Sequence, residues 1–533
     1  MPTRFLHRMM GIDYKTILSV LAIGGTAVQP AFSKESVQRP NILIIMTDQM
    51  RADLCQREGF SLNTTPFLDA MARKGCWFDK AYTAAPASVP ARTSFLTGRF
   101  PKATRVRSNH NLQDAVYLQD MYDIMKKAGY RTGLVGKNHS YLKADKVDFW
   151  SEYGHGGKMS KDKTSENTAF DTYLGSLNMY AGYDLSPYGM EQQLPYRMVD
   201  EAVGWIKEDH KKPFFLWFSI PEPHTPYQVC EPYYSMFPPD KIPPIQADIN
   251  TLKKKGEAYQ HMHDVMLMAH TDYVDKTDRI RSVYYGMLRM IDDQVKRLIS
   301  YLEEEKIDEN TIIIFLSDHG DYVGEYGLIK KGVGLSDVLS RIPMIWYGAG
   351  IKADRQASPA HVSIVDIFPT LCEIVGEDIP LGVQGRSLWN LLQGKAYPEE
   401  EFESIMGEGG YGGAYYTAKD DTDYEGEGCL NIKRGSFDSL NSWTQSGSLR
   451  LLRKGEWKLI YDMVGHGELY HISSDPSEIN DLYDEAEYNE IKLDLLRHLL
   501  KWEIATQDPL PIPRKRYHFK RNPHNYLFSH ANQ

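Results

Sequence analysis

Two unbroken apolar runs constrain this chain more than any other stretch: Asn41-Ile42-Leu43-Ile44-Ile45-Met46 and Thr311-Ile312-Ile313-Ile314-Phe315-Leu316. A strand with one wet face alternates apolar and polar residues. Runs without that alternation mark strands covered on both faces, as in a parallel sheet flanked by helices. Pro213-Phe214-Phe215-Leu216-Trp217-Phe218-Ser219-Ile220 reads as a third buried strand, and Pro343 to Tyr347 as a further one. The first three end abruptly in polar residues: Thr47-Asp48-Gln49, Ser317-Asp318-His319-Gly320 and Pro221-Glu222-Pro223-His224-Thr225-Pro226. Open α/β sheets hold ligands beyond the carboxyl ends of their strands, so these ends are where chemistry is expected.

If the first two strands are neighbours, Asp48, Gln49 and Asp318 deliver oxygen donors to one edge, and a divalent cation explains the convergence. Oxygen donors favour calcium or magnesium over zinc, while His319 leans the other way. A second concentration of chemistry is Ser88-Val89-Pro90-Ala91-Arg92-Thr93-Ser94-Phe95-Leu96-Thr97-Gly98-Arg99. Pro90 biases Val89 away from helix, which puts Ser88 where a loop feeds a helix beginning near Ala91. Unpaired backbone N–H groups there suit an anion. Arg92, one turn on, adds a cation that stays protonated.

Ser88, Pro90, Ala91 and Arg92, followed by Leu96-Thr97-Gly98-Arg99, resemble the signature of type I sulfatases of the alkaline phosphatase superfamily. In that family the first residue of the signature is oxidised to formylglycine. The Gly136-Lys137-Asn138-His139 strand exit, Pro223-His224-Thr225-Pro226, and Glu468-Leu469-Tyr470-His471 through Asp475-Pro476 are also similar to sulfatase patterns. The resemblance runs in order from about Pro40 to about Thr506. It implies an alkaline phosphatase-like α/β fold, with a large, mixed, mostly parallel sheet flanked by helices. A smaller C-terminal α+β subdomain, an antiparallel sheet plus a helix, completes it.

For the site, the resemblance implies calcium held by Asp48, Gln49, Asp318 and His319 together with the formylglycine (3-oxoalanine) made from Ser88. Arg92 helps to hold the hydrated aldehyde deprotonated. Lys137, His224 and Lys331 neutralise sulfate oxygens, with Lys330 the alternative to Lys331. His224 protonates the leaving alcohol, and His139 takes the proton when sulfate is expelled. Serine rather than cysteine at position 88 resembles family members matured by an anaerobic radical enzyme before export, which implies a bacterial protein. Asp48-Gln49, with the spacing of Asp318-His319 to Lys331, resembles 2-O-sulfatases acting on unsaturated uronates of glycosaminoglycans. The expected substrate is therefore a small sulfated saccharide cleaved from its end. Arg105, Arg107 and His110, from a polar cluster otherwise expected at the surface, are the candidate sugar contacts.

The amino terminus carries Arg4, His7, Arg8 and Lys15, then an apolar run from Thr16 to Val28 and Ala31-Phe32-Ser33. This reads as a secretory signal over 1–33, which places the mature protein in a periplasm or outside the cell, with no membrane span left after cleavage. The five cysteines, Cys55, Cys76, Cys230, Cys372 and Cys429, have no short paired spacing and indicate neither a zinc cluster nor a disulfide framework. A net charge of -10 gives no hint of nucleic-acid binding. With 42% hydrophobic residues the chain buries a large core.

Residues 36–425 are expected to form the catalytic domain and 426–533 the smaller subdomain, with an acidic, Gly- and Tyr-rich linker over 399–428. Tyr153 to Asp184 reads as an exposed excursion, and Asp278 to Glu304 as a long helix with a packing role. Two rival functions remain: a phosphoester hydrolase of the same superfamily, and a non-catalytic binder of sulfated glycans.

Overall fold

The computed structural model describes residues 39–208, 211–413, 415, 445–507 and 523–528. The expected leader, Cys429 and the 425/426 boundary lie outside them. Arg39–Gln533 form one compact unit. Among the described residues no helix is long and apolar enough to cross a membrane.

The larger sheet takes β1 (Asn41–Asp48), β2 (Cys76–Phe78), β4 (Arg131–Gly136), β5 (Phe149–Gly154), β6 (Gly157–Lys158), β7 (Phe214–Pro223), β8 (Thr311–Ser317) and β9 (Met344–Gly348). The short β3 (Ala81–Tyr82) and β10 (Val362–Ser363) pair with each other beside it. The strand order in the large sheet is β2-β9-β8-β1-β7-β4-β5-β6. The five central strands, β8 to β5, run parallel, and antiparallel strands close both margins.

Successive residues of a strand face opposite sides of its sheet, and here both sides are dry. Leu43 and Ile45 of β1, with Ile313 and Phe315 of β8, pack into one hydrophobic cluster. Ile42, Ile44 and Met46, with Ile312, Ile314 and Leu316, pack into the other. This is why the runs carry no polar alternation. The 32-residue Tyr273–Glu304 helix covers the first face with Val283, Leu288, Ile291 and Leu298. The Ser88–Thr97 helix covers the second with Phe95 and Leu96.

The smaller sheet is antiparallel, in the order β11 (Ser404–Gly412), β12 (Gly447–Lys454), β13 (Trp457–Asp462), β14 (Gly467–His471). The Asn489–Thr506 helix packs on it through Leu495, Leu499 and Trp502. Two expectations are corrected here. Ser404–Gly412, expected as linker, is a strand paired with β12, because Ile405 and Met406 are apolar enough to join the core. The expected excursion after Tyr153 holds a strand pair and the Ser165–Ser176 helix, anchored by Phe170 and Leu174 at helical spacing.

A buried ion cluster joins the smaller sheet to the Asp337–Ser340 helix that follows β8 and to β3. Lys458 of β13 pairs with Asp337 at 2.7 Å and with Glu478 at 2.6 Å, and Tyr82 OH donates to Asp337 at 3.1 Å. Removing the cation strands two buried carboxylates, so Lys458→Ala is expected to lower unfolding free energy by about 3–5 kcal/mol. Denaturant titration measures this; a loss below about 1 kcal/mol, typical of surface pairs, would show that the cluster holds the smaller sheet no more firmly than an exposed pair would.

Candidate active site

The register of the parallel strands brings the polar ends together. Thr47 of β1 lies level with Ser317 of β8, so Asp48 and Asp318 leave neighbouring strands side by side. On the other flank Asp48 pairs with Pro223 of β7, one residue before His224. β4 ends at Gly136 opposite Ser219, and Lys137 N donates to Ser219 O at 2.7 Å. Gly136 has φ 111, and a Cβ there would lie 2.0 Å from Ser219 O, so only glycine lets β4 pass this close.

The helix opens at Ser88 itself, with Ala87 as its extended cap, three residues earlier than expected. Val89 N, an amide without a helical partner, donates to Asn109 Oδ1 at 3.1 Å. Ser88 Oγ lies 3.0 Å from His319 Nε2 and donates to Asp48 Oδ1 at 3.5 Å. Arg92, one turn on, is fully buried. Nε donates to Asp318 Oδ2 at 2.9 Å and Nη2 to Asp48 Oδ2 at 3.1 Å, while Nη1 donates to Ser219 Oγ at 2.7 Å and Lys137 O at 2.9 Å.

Asp48, Asp318 and His319 each offer a ligand atom, all within 4.8 Å of one another and all buried. His319 Nδ1 faces Gly320 O at 2.9 Å. A carbonyl only accepts, so Nδ1 carries the proton and Nε2 turns its lone pair toward the carboxylates. This donor set fits a divalent cation. Gln49, expected among the ligands, sits at φ 69 beside these groups. Its Oε1 accepts from Lys331 Nζ at 2.9 Å, its Nε2 donates to Asp321, and its backbone N–H donates to Asp318 Oδ1 at 3.0 Å.

Two lysine–histidine pairs complete the centre. Lys331 Nζ donates to His224 Nε2 at 3.2 Å, and His224 Nδ1 faces Thr225 O at 2.7 Å. Lys137 Nζ donates to Asp48 Oδ2 and lies 2.8 Å from His155 Nε2. The rings of His155 and His224 stack at 3.9 Å. Lys331, rather than Lys330, is therefore the lysine in this centre. His139 has φ 42 and a buried Nδ1 without a hydrogen-bond partner. Arg105 and His110 are exposed, whereas Arg107 lines a recess with Ala87 and Gly332.

Burial dominates the electrostatics. It opposes charge on Asp48, yet Lys137, His224, Arg92 and Lys331 hold that carboxyl well below the usual range. Burial pushes His224, His139 and His155 well below the ordinary histidine value, with neighbouring cations adding to the effect. Burial lowers Lys137 to about 8, against the pull of Asp48. The histidines are thus neutral acceptors, and positive charge resides on Arg92, Lys137 and Lys331. These cations outnumber Asp48 and Asp318 even before a metal is counted, an excess that suits a tetrahedral anion.

A family model described as Sulfatase matches residues 40–377. The chain belongs to the sulfatase family and is a sulfuric ester hydrolase. An arylsulfatase of Clostridium perfringens is 27% identical over 500 residues, covering 88% of this chain and 95% of that one. An N-acetylglucosamine-6-O-sulfatase of Bacteroides thetaiotaomicron is 23% identical, covering 96% of this sulfatase and 95% of its own length. In fold, a phosphonate monoester hydrolase of Agrobacterium radiobacter superimposes with TM-score 0.70 at 22% identity, over 87% of this chain and 96% of the other. The alkaline phosphatase-like sheet with its C-terminal antiparallel sheet is the expected one.

Sequence reasoning missed His155, Asp321, Tyr227, Ser219 and Tyr284. Tyr284 OH donates to Gln49 O at 2.7 Å and Tyr227 OH donates to Asp321, so the long helix does more than pack. His155 stood in the stretch read as exposed, and its flanking glycines gave no metal or catalytic spacing. Ser219→Ala removes the closest neutral partner of a buried guanidinium. It is expected to cost about 1–3 kcal/mol, measured as a lower urea midpoint with the slope unaltered.

Proposed function

We propose that the sulfatase removes sulfate from a sulfated glycan at a formylglycine made from Ser88. The carrying observation is the convergence on Ser88 of Arg92, the Asp48–Asp318–His319 donor set and the two lysine–histidine pairs. A calcium ion held by Asp48, Asp318 and His319 with the modified residue at position 88 would supply positive charge that lowers the pKa of the attacking hydroxyl. Formylglycine supplies, as its hydrate, two hydroxyls on one carbon, one to take the sulfuryl group and one to let it go.

This chain's residues do the rest. Arg92 fixes both carboxylates and so the place of the nucleophile. Lys137 and Lys331 lie where sulfate oxygens gain charge as the ester bond breaks. The proton for the leaving alcohol sits on the Lys331–His224 pair, with His224 Nε2 as its outlet. His139, whose buried Nδ1 has no partner, is the base for the second step.

The finer substrate assignment is 2-O-sulfate on an unsaturated uronate, cleaved from the chain end, and it rests on the Asp48-Gln49 motif. Maturation by an anaerobic-type enzyme followed by export to the periplasm or medium rests on Ser88 and on the apolar run from Thr16 to Val28. A phosphoester hydrolase is the second reading, favoured by the likeness in fold to the phosphonate monoester hydrolase.

Mass spectrometry of the Ser88 peptide, from protein produced with a maturation partner, is expected to show a loss of about 2 Da. Full sulfatase activity from unmodified serine would sink the mechanism, and turnover of phosphate esters above all sulfate esters would favour the second reading. Lys331→Met is expected to lower kcat/KM by about 100-fold or more, and Lys330→Met by far less; equal losses would contradict the assignment. Calcium is expected to raise the melting temperature of the chelator-treated enzyme and to do so no longer in Asp318→Asn.

A further inference from the structure

His155 enters the centre from the tip of a tight turn. β5 and β6 pair Tyr153 with Lys158 and Gly154 with Gly157, so His155 and Gly156 lie between them. Two carboxylates on separate helices hold that tip. Glu201 of the Leu194–Lys207 helix accepts from Tyr153 OH at 2.7 Å and from Lys158 Nζ at 2.6 Å. Asp171 of the Ser165–Ser176 helix accepts from the Lys158 backbone N–H at 3.2 Å and from Arg197 Nη1 at 2.6 Å. Gly157 has φ +108, and a Cβ there would lie 2.0 Å from Asp171 Cγ, so only glycine lets the turn come this close to its anchor.

The two lysines of the centre are held alike. An ammonium has three N–H donors and no lone pair. Lys331 Nζ gives one donor to Gln49 Oε1 at 2.9 Å and one to His224 Nε2 at 3.2 Å. Lys137 Nζ gives one to Asp48 Oδ2 and one to His155 Nε2 at 2.8 Å. Asp48 alone would leave the Lys137 ammonium free to turn about one bond. His155 removes that rotation and so fixes the line of the third donor. Its ring also bears on His224. His224 Nδ1 is anchored on Thr225 O at 2.7 Å, a single point about which the imidazole could tip. The His155 ring lies over it, with centroids 3.9 Å apart and planes 21° from parallel, and holds the plane in which Nε2 points.

We propose that His155 is a positioning residue with two separable duties. As an acceptor it aims the third N–H of Lys137 at a sulfate oxygen, and as a stacked ring it aims His224 at the leaving oxygen. It acts through these two side chains and touches neither the sulfate nor the alcohol. This rests on the sulfate-ester reading above and adds to it what keeps the two Lys–His pairs in line. The duties use different parts of one imidazole, so substitution separates them. His155→Phe keeps a ring over His224 and removes the acceptor. His155→Gln keeps an acceptor at the reach of Nε2 and removes the ring.

The test compares kcat/KM for 4-nitrophenyl sulfate and phenyl sulfate in the matured wild-type enzyme and in both variants. Phenolate leaves less readily than 4-nitrophenolate and so depends more on a proton from His224. In His155→Gln, phenyl sulfate is expected to lose about tenfold more rate than 4-nitrophenyl sulfate. In His155→Phe the two esters are expected to fall together, by about tenfold or more. Calorimetric binding of inorganic sulfate to calcium-loaded Ser88→Ala gives a second readout that needs no turnover. Added His155→Phe is expected to weaken it about tenfold, the loss of one aimed charge-assisted bond, and added His155→Gln by less than about twofold. Equal losses for both esters in His155→Gln overturn the inference, as does sulfate binding unaltered by His155→Phe. Each variant has its own expected outcome, so failure of one to fold leaves the other decisive. A wild-type enzyme that turns over no sulfate ester refutes the reading of the reaction, and the sulfate titration then still decides the aim of Lys137.

Discussion

Arg92 is the member without which the site has no shape. Its guanidinium is fully buried and bridges the carboxylates of Asp48 and Asp318, which arrive from two neighbouring parallel strands. Two carboxylates this close repel one another in a low-dielectric interior, and a planar cation with a fixed fork of donors is the side chain best able to hold both. The same guanidinium bonds Ser219 and the Lys137 carbonyl, so one residue on the Ser88–Thr97 helix pins the ends of β8, β1, β7 and β4. Ser88, four positions earlier on the same helix, is carried to the carboxylates by that bond.

Around this bridge the charges follow from burial. Neutral histidines with one ring nitrogen on a backbone carbonyl, His319 on Gly320 and His224 on Thr225, present a lone pair from the other. Lys331 faces the lone pair of His224 and Lys137 faces His155 Nε2, while His319 turns its free nitrogen to Ser88. Outside the centre, the smaller sheet packs beside the segment that leads into Ser88, where Glu408 N donates to Ala84 O at 2.8 Å. Its strand β11 forms one wall of the recess beside Ser88, and the Lys458–Asp337–Glu478 cluster ties it to the loop that carries Lys331.

Much of this was legible before any coordinates. The strand ends at Asp48, Asp318 and His224 could be read because doubly buried strands leave an unmistakable apolar run and stop sharply. Ser88 and Arg92 could be paired because helical spacing fixes which residues share a face. Less legible were the partners of Gln49, whose side chain bonds Lys331 and Asp321, residues more than 270 positions away. His155 was invisible because its role comes from stacking on a histidine sixty-nine positions away, which no local pattern encodes. β11 was mistaken for linker because glycine-rich composition masks a strand whose apolar half is short.

The sequence by itself determined the family, the parallel core and the identity of the nucleophile's helix, since periodicity, proline placement and short motifs are local and survive without a fold. Tertiary structure alone decided which lysine enters the centre, where the amide of Gln49 points, and that a second sheet lies beside the segment before Ser88. Those outcomes depend on strand register and on burial, which are set by residues hundreds of positions apart, and on the rule that a buried polar atom must find a partner wherever the chain can bring one.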